Sequence, residues 1–154
     1  MDYACIGDSI AVGVSAYLSC EVIRAKVGIS TDGWIQRYKL PNNKVLVVSL
    51  GSNDKTKNDK LCNLFKDKTV LWIRPFNNPN FICPKPGDYA VSFSYSNDGI
   101  HPRSYKLLAK DIKYELESNI GYTPRVEYSW YSGNPLVYRA GGCSYFVWRH
   151  CRNL

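Results

Sequence analysis

The chain has 154 residues, of which 45% are hydrophobic and 21% are charged. This composition suits one globular domain with a sizeable core and excludes disordered and fibrous proteins. The formal net charge of +7 favours negatively charged partners such as acidic glycans, anionic membrane surfaces or nucleic acid, but the lysines are scattered, so a solvated basic surface explains it as well.

The cysteine and histidine content argues against a metal site. The six cysteines form no Cys-x-x-Cys pair and there are two histidines, so we expect neither a metal nor a cofactor. Cys5, Cys20 and Cys62 lie in apolar patterns typical of buried thiols in a reducing compartment. Cys143 and Cys151 are close enough in sequence for a local bridge, but nothing in the sequence requires one.

Membrane and export signals are not evident. No apolar run approaches the ~20 residues that span a bilayer, and the residues after Met1 include neither a basic n-region nor an apolar h-region. We therefore expect no transmembrane segment, and a protein that is cytoplasmic or released without a signal peptide.

The first element is a strand that turns sharply into a helix. The apolar residues from Ala4 to Ile6 are followed by Gly7-Asp8-Ser9 and a second apolar run, which predicts Ser9 at a helix N-terminus. Unpaired N–H groups and the positive end of the helix dipole would stabilise an oxyanion there. Ser9 is thus a candidate nucleophile, although Gly-Asp-Ser is also an ordinary capping turn.

Strands and helices then alternate along the chain. The pattern predicts strands over residues 21–27, 44–50, 69–73 and 89–95, and helices over 34–38, 58–66 and 104–117. Ser30, Thr31 or Asp32 could cap the second helix, and Ser104 the last one. Residues 74–88, rich in Pro and Asn, predict a long loop. This βαβ pattern implies a parallel sheet with helices on both faces.

Several chemically useful residues fall on loops that follow strands or open helices. They are Ser9, Gly28, Asn53, Asp98 and His101. Such loops gather along one edge of a parallel sheet, so these residues could converge. In order, the loops resemble the sequence blocks of the SGNH, or GDSL-type, hydrolases. The blocks are Gly7-Asp8-Ser9-Ile10, Gly28, Gly51-Ser52-Asn53-Asp54 and Asp98-Gly99-Ile100-His101-Pro102.

The resemblance covers residues 3–117 and implies a three-layer α/β/α sandwich with a flavodoxin-like parallel sheet over residues 1–120. It also implies that Ser9 is the nucleophile, His101 the general base and Asp98 the carboxylate that orients the imidazole. The N–H groups of Ser9 and Gly28 and the side-chain amide of Asn53 would form the oxyanion hole. Taken singly, residues of these types also occur commonly in turns, at the ends of strands and just before helices.

The sequence departs from the family in two places. Between the fourth strand and Asp98 many members carry another helix and strand, whereas residues 76–88 are short and rich in Pro and Asn, so that side of the cleft is more open or built differently. Residues 121–154 have no counterpart in the family core. Their tyrosines, tryptophans and arginines predict a β-rich extension packed on the domain or on a partner, suited equally to a sugar, an anionic polymer or a subunit interface in a homo-oligomer.

The expected activity is hydrolysis of a small acyl ester through a Ser-His-Asp triad and an acyl-enzyme. The leading substrate is an acetyl ester of a carbohydrate, so an acylated small molecule or glycan would be the partner. A lipase, lysophospholipase or thioesterase of the same family, or acyl transfer to a sugar, would use the same residues. From a different class, the chain could be a non-catalytic binding or structural module on a hydrolase fold.

Overall fold

The computed structural model describes residues 2–55 and 60–121, together with the backbone of two short strands at 126–127 and 137–138. The main elements are β1 (Tyr3–Gly7), α1 (Ser9–Ser15), β2 (Val22–Ala25), α2 (Thr31–Arg37), β3 (Val45–Ser49), α3 (Lys60–Leu64), β4 (Thr69–Ile73), β5 (Tyr89–Val91) and α4 (Tyr105–Glu115). A π-helical turn, Leu116–Ile120, continues α4.

The first five strands form one parallel sheet in the order β2-β1-β3-β4-β5. This is the strand order of flavodoxin-like doubly wound sheets. The predicted α/β class and parallel sheet are therefore confirmed.

The element boundaries agree with the sequence patterns to differing degrees. The strand predicted over residues 69–73 coincides with β4, whereas β2 and β5 are shorter than the strands predicted over 21–27 and 89–95. Helix α2 begins three residues earlier than predicted, because the Ser30 hydroxyl accepts a hydrogen bond from the N–H of Gly33 and caps the helix. The N–H of Leu107 likewise donates to the hydroxyl of Ser104, the predicted cap of α4.

Alternating strand residues divide the core between the two faces of the sheet. One cluster packs strand residues against α1 and α4, and its main members are Tyr3, Cys5, Ile10, Val14, Val45, Val47, Leu71, Ile73, Leu108 and Ile112. The other packs the alternate residues against α2 and α3, and its main members are Ala4, Ile6, Trp34, Leu46, Val48, Leu61, Phe65, Val70 and Trp72. Because both faces are covered, β3 is apolar at successive positions.

The loop over residues 74–88 occupies the place of a helix between β4 and β5. It contains no helix or strand, as predicted, yet its Phe81 and Ile82 are buried against the same sheet face as α3. The carboxylate of Asp88 accepts hydrogen bonds from the backbone N–H of Val70 and the indole N–H of Trp72, both at 3.0 Å. This side of the sheet is thus covered by an irregular but well-anchored segment.

The prediction of reduced, buried thiols at Cys5, Cys20 and Cys62 is wrong. Cys5 is bridged to Cys20, with 5.7 Å between their Cα atoms, and Cys62 to Cys83, with 5.4 Å. The first bridge forms because the chain returns beside β1 after α1, and the second ties α3 to the loop over 74–88. Apolar surroundings are common to thiols and disulfides, so they gave no basis for a reducing compartment.

Most of the C-terminal segment lies outside the described residues. Two short strands, β6 (Val126–Glu127) and β7 (Val137–Tyr138), pair in antiparallel fashion. The predicted β-rich extension over 121–154 and the Cys143 and Cys151 pair otherwise fall outside what the structure describes. In the described part of the chain, no helix has both the length and the apolar character to cross a membrane.

Candidate active site

Ser9 is placed by a tight turn between β1 and α1. Gly7 ends β1 with φ of 141°, and a Cβ on it would lie 1.8 Å from the carbonyl oxygen of Ser49. Only glycine allows this close approach of β1 to β3. Asp8 then caps α1 and Ser9 is its first helical residue, so the predicted position of Ser9 at a helix N-terminus is confirmed.

Ser9, His101 and Asp98 form a continuous chain of hydrogen bonds. The Oγ of Ser9 lies 2.9 Å from Nε2 of His101, and Nδ1 of His101 lies 2.6 Å from Oδ2 of Asp98. The structure therefore brings together three residues that are as much as 92 positions apart in the chain. A serine bonded to an imidazole that meets a carboxylate on its other side is an arrangement that can activate the hydroxyl for attack on a carbonyl.

The Asp98 carboxylate is held ionised by its neighbours. Its Oδ1 accepts hydrogen bonds from the backbone N–H groups of His101 and Ile100 and from the hydroxyl of Ser96. Together with the bond from the imidazole to Oδ2, they hold the pKa of the Asp98 carboxyl well below its usual range. The backbone N–H of His101 contributes most to this lowering of the pKa, followed by its imidazole. Asp98 can therefore accept a hydrogen bond from Nδ1 and leave Nε2 to act as a base toward Ser9.

The loop that carries His101 is closed on itself by backbone contacts. Tyr95 and Pro102 form an antiparallel bridge, and the N–H of Ser96 donates to the carbonyl of His101 at 2.8 Å. The side chains of His101 and Asp98 are 38% and 48% exposed. The imidazole is thus fixed in position at the same time as it is open to a substrate.

Gly28 and Asn53 lie on two loops that contact each other. Gly28 has φ of 79°, which favours glycine, and an added Cβ would meet nothing within 4 Å. The exposed Asn53 donates from its side-chain amide to the carbonyl of Ile29 at 3.0 Å, next to Gly28, and this bond uses one of its two N–H groups. The structure brings these two residues together, and their role in an oxyanion hole stays a prediction.

The turn that contains Asn53 is held from both sides. The carboxylate of Asp54 accepts hydrogen bonds from the backbone N–H and the hydroxyl of Thr31. On the other side, the amide of Asn77 donates to the carbonyl of Ser52 at 2.9 Å, and that of Asn78 to the carbonyl of Gly51 at 3.0 Å. The turn is therefore fixed between α2 and the loop after β4.

Asp8 is a site residue to which the sequence analysis gave no separate role. Its buried carboxylate accepts hydrogen bonds from the N–H of Ile10 and the hydroxyls of Ser49 and Ser52. Burial raises the pKa of Asp8, and these hydrogen bonds oppose that rise. Asp8 thereby joins the turn before Ser9 to the end of β3 and the Asn53 turn. The sequence signals for it were its place in the Gly7-Asp8-Ser9-Ile10 block and its position as a polar residue between two apolar runs.

An open depression of about 580 Å³ adjoins Gly28 on the side of α2. It is lined by residues 26–30, Gly33, Gln36 and Arg37. None of the triad residues lines it. Among the described residues, no cluster of three or more His, Cys, Asp or Glu side chains could hold a metal ion.

Comparisons with protein-family models, with curated proteins and with solved structures find no match to this chain.

Proposed function

We propose that the protein is a serine esterase of the SGNH type that hydrolyses small acyl esters, with acetyl esters of a carbohydrate as the leading substrates. The observation that carries this proposal is the hydrogen-bonded chain from Ser9 through His101 to Asp98. The parallel sheet in the order β2-β1-β3-β4-β5, with apolar clusters on both faces, supports the three-layer fold that the resemblance implies.

In the proposed reaction, Oγ of Ser9 attacks the acyl carbonyl while Nε2 of His101 takes the hydroxyl proton. His101 then gives this proton to the leaving alcohol, and an acyl-enzyme remains on Ser9. A water molecule, deprotonated by His101, attacks the acyl-enzyme and releases the carboxylic acid. Asp98 keeps the imidazole oriented and stabilises its cationic form.

The negative oxygen of each tetrahedral intermediate needs hydrogen-bond donors. The proposed donors are the backbone N–H groups of Ser9 and Gly28 and the side-chain amide of Asn53. One such donor typically contributes about 3 kcal/mol to transition-state stabilisation. The hydrogen bond from Asn53 to Ile29 supports this assignment, because it fixes the amide next to the Gly28 backbone.

The exposure of the site favours a short acyl group on a polar alcohol. In the described part of the chain, the side chains of His101 and Asp98 are 38% and 48% exposed, whereas a long acyl chain needs an enclosed apolar cleft to leave water. A lipase, lysophospholipase or thioesterase is therefore the weaker candidate within the family.

The test compares Ser9→Ala with the matched control Ser19→Ala, since Ser19 is an exposed serine beyond the other end of α1. The wild type and the Ser19→Ala control should react with a fluorophosphonate probe and hydrolyse nitrophenyl acetate. Ser9→Ala should lose both properties. Rates that rise with acyl length would favour a lipase, and a wild type that neither reacts with the probe nor hydrolyses any ester would favour a non-catalytic module.

Asn53→Ala tests the oxyanion hole in the same assay. Loss of one donor should lower kcat by about 100-fold or more with little change in KM, because the donor acts mainly in the transition state. An unchanged kcat would remove Asn53 from the proposed site without affecting the assignment of Ser9.

A further inference from the structure

Two large aromatic side chains are stacked on each other at the surface. The ring centroids of Phe76 and Tyr95 lie 3.9 Å apart, with 26° between the ring planes. The two residues are nevertheless 45% and 48% exposed. Stacking removes one face of each ring from water. The rest of the pair still forms a flat apolar surface in contact with solvent, as at many binding sites.

This aromatic pair is connected to both sides of the candidate active site. Phe76 directly precedes Asn77, whose amide donates to the carbonyl of Ser52 in the Asn53 turn at 2.9 Å. Tyr95 forms a backbone bridge with Pro102, the residue that follows His101. The pair therefore belongs to the two loops that flank the proposed reaction centre on the side of β4 and β5.

The direction of the proposed reaction indicates which part of a substrate would lie there. The acyl oxygen must point to the oxyanion donors, which include the backbone of Gly28 after β2. The leaving oxygen must lie near Nε2 of His101, because it takes its proton from that atom. The alcohol part of the ester would thus extend along the His101 loop, of which Tyr95 is a part.

The surface fits a sugar ring better than an alkyl chain. A pyranose has a C–H face that can stack on an aromatic ring and hydroxyl groups at its rim that remain in water. Half-exposed rings can cover one such face, but they cannot enclose a flexible alkyl chain. We propose that Phe76 and Tyr95 form a platform that binds the sugar ring bearing the scissile acyl group; this inference rests on the proposed esterase function.

The test measures kcat/KM on two acetyl esters, acetylated xylo-oligosaccharide and ethyl acetate, of which only the first contains a ring. Tyr95→Ala and Phe76→Ala should each lower kcat/KM on the oligosaccharide about 10-fold more than on ethyl acetate, mainly through KM. Tyr95→Trp keeps an aromatic ring and should retain the wild-type ratio of kcat/KM on the oligosaccharide to kcat/KM on ethyl acetate. The control is Tyr114→Ala, since Tyr114 is 50% exposed on α4, and it should leave both rates unchanged.

An equal loss on both esters in the two platform variants would assign Phe76 and Tyr95 a structural role and overturn the proposal, as would no loss on either ester. Binding of the acetylated oligosaccharide to the Ser9→Ala variant, followed by NMR titration, separates this inference from the esterase function. If Tyr95→Ala weakens this binding about 10-fold, the platform is supported even where no ester is hydrolysed. If ester hydrolysis is found and the binding is not weakened, the platform fails and the esterase stands.

Discussion

Replacing Asp8 tests whether the buried carboxylate holds the nucleophile turn together. Asp8→Ala would remove the cap of α1, which typically lowers the free energy of unfolding by about 1 kcal/mol. It would also leave the buried hydroxyls of Ser49 and Ser52 without their acceptor, at roughly 1 to 3 kcal/mol each. Part of this loss is offset because a carboxylate no longer has to be buried. We expect a net loss of about 3 kcal/mol.

Asp8→Asn is the conservative counterpart. Its amide oxygen can still accept from the N–H of Ile10, and a serine hydroxyl can rotate to accept from the new amide group. We therefore expect a loss of about 1 kcal/mol, on the scale of one hydrogen bond. Since Asp8 positions the turn before Ser9 and is buried, kcat on nitrophenyl acetate should fall more in Asp8→Ala than in Asp8→Asn.

The contribution of Asp8 to the free energy of unfolding should depend on pH in a defined direction. Burial raises the pKa of Asp8 above its ordinary value of 3.8, so the folded protein binds this proton more tightly than the unfolded chain. The contribution of Asp8 to stability therefore decreases as pH rises from the ordinary value through the raised one. The asparagine variant lacks this titration, and the stability gap between wild type and Asp8→Asn should narrow as pH rises.

Urea unfolding followed by circular dichroism, from acid to neutral pH, measures these differences. An alanine variant as stable as the wild type would refute the role of Asp8 in holding the turn. A gap between wild type and Asp8→Asn that widens with rising pH would refute the electrostatic part of the reasoning.

Two further predictions concern stability. The double change Cys62→Ser with Cys83→Ser should lower the free energy of unfolding by about 3 kcal/mol, because the bridge closes a loop with a sequence separation of 21; equal urea midpoints without reductant would contradict it. Burial raises the pKa of Glu117 to about 7 from 4.5, so the wild type should lose stability as pH rises through that window while Glu117→Gln should not. The melting temperatures of the wild type and of Glu117→Gln at pH 5 and pH 8 measure this difference. If both melting temperatures change equally between the two pH values, the raised pKa of Glu117 is excluded as the cause.

Local patterns in the sequence determined much of the fold. The apolar run into Gly7-Asp8-Ser9 predicted the strand, the turn and the helix start, and the successive apolar residues of β3 predicted a sheet covered on both faces. These features depend on residues close in the chain, whose spacing records which sides of an element are buried. The four blocks, in their order along the chain, predicted Ser9, Asp98 and His101 as site residues.

The partners of these residues were decided only by the tertiary structure. Apolar surroundings could not distinguish a thiol at Cys5 from a disulfide, because the pairing with Cys20 depends on how the chain returns beside β1. The burial of Asp8 between β1 and β3 and the stacking of Phe76 on Tyr95 likewise join segments far apart in sequence. Periodicity indicates that a side chain is buried or exposed, but strand register and loop packing determine what it contacts.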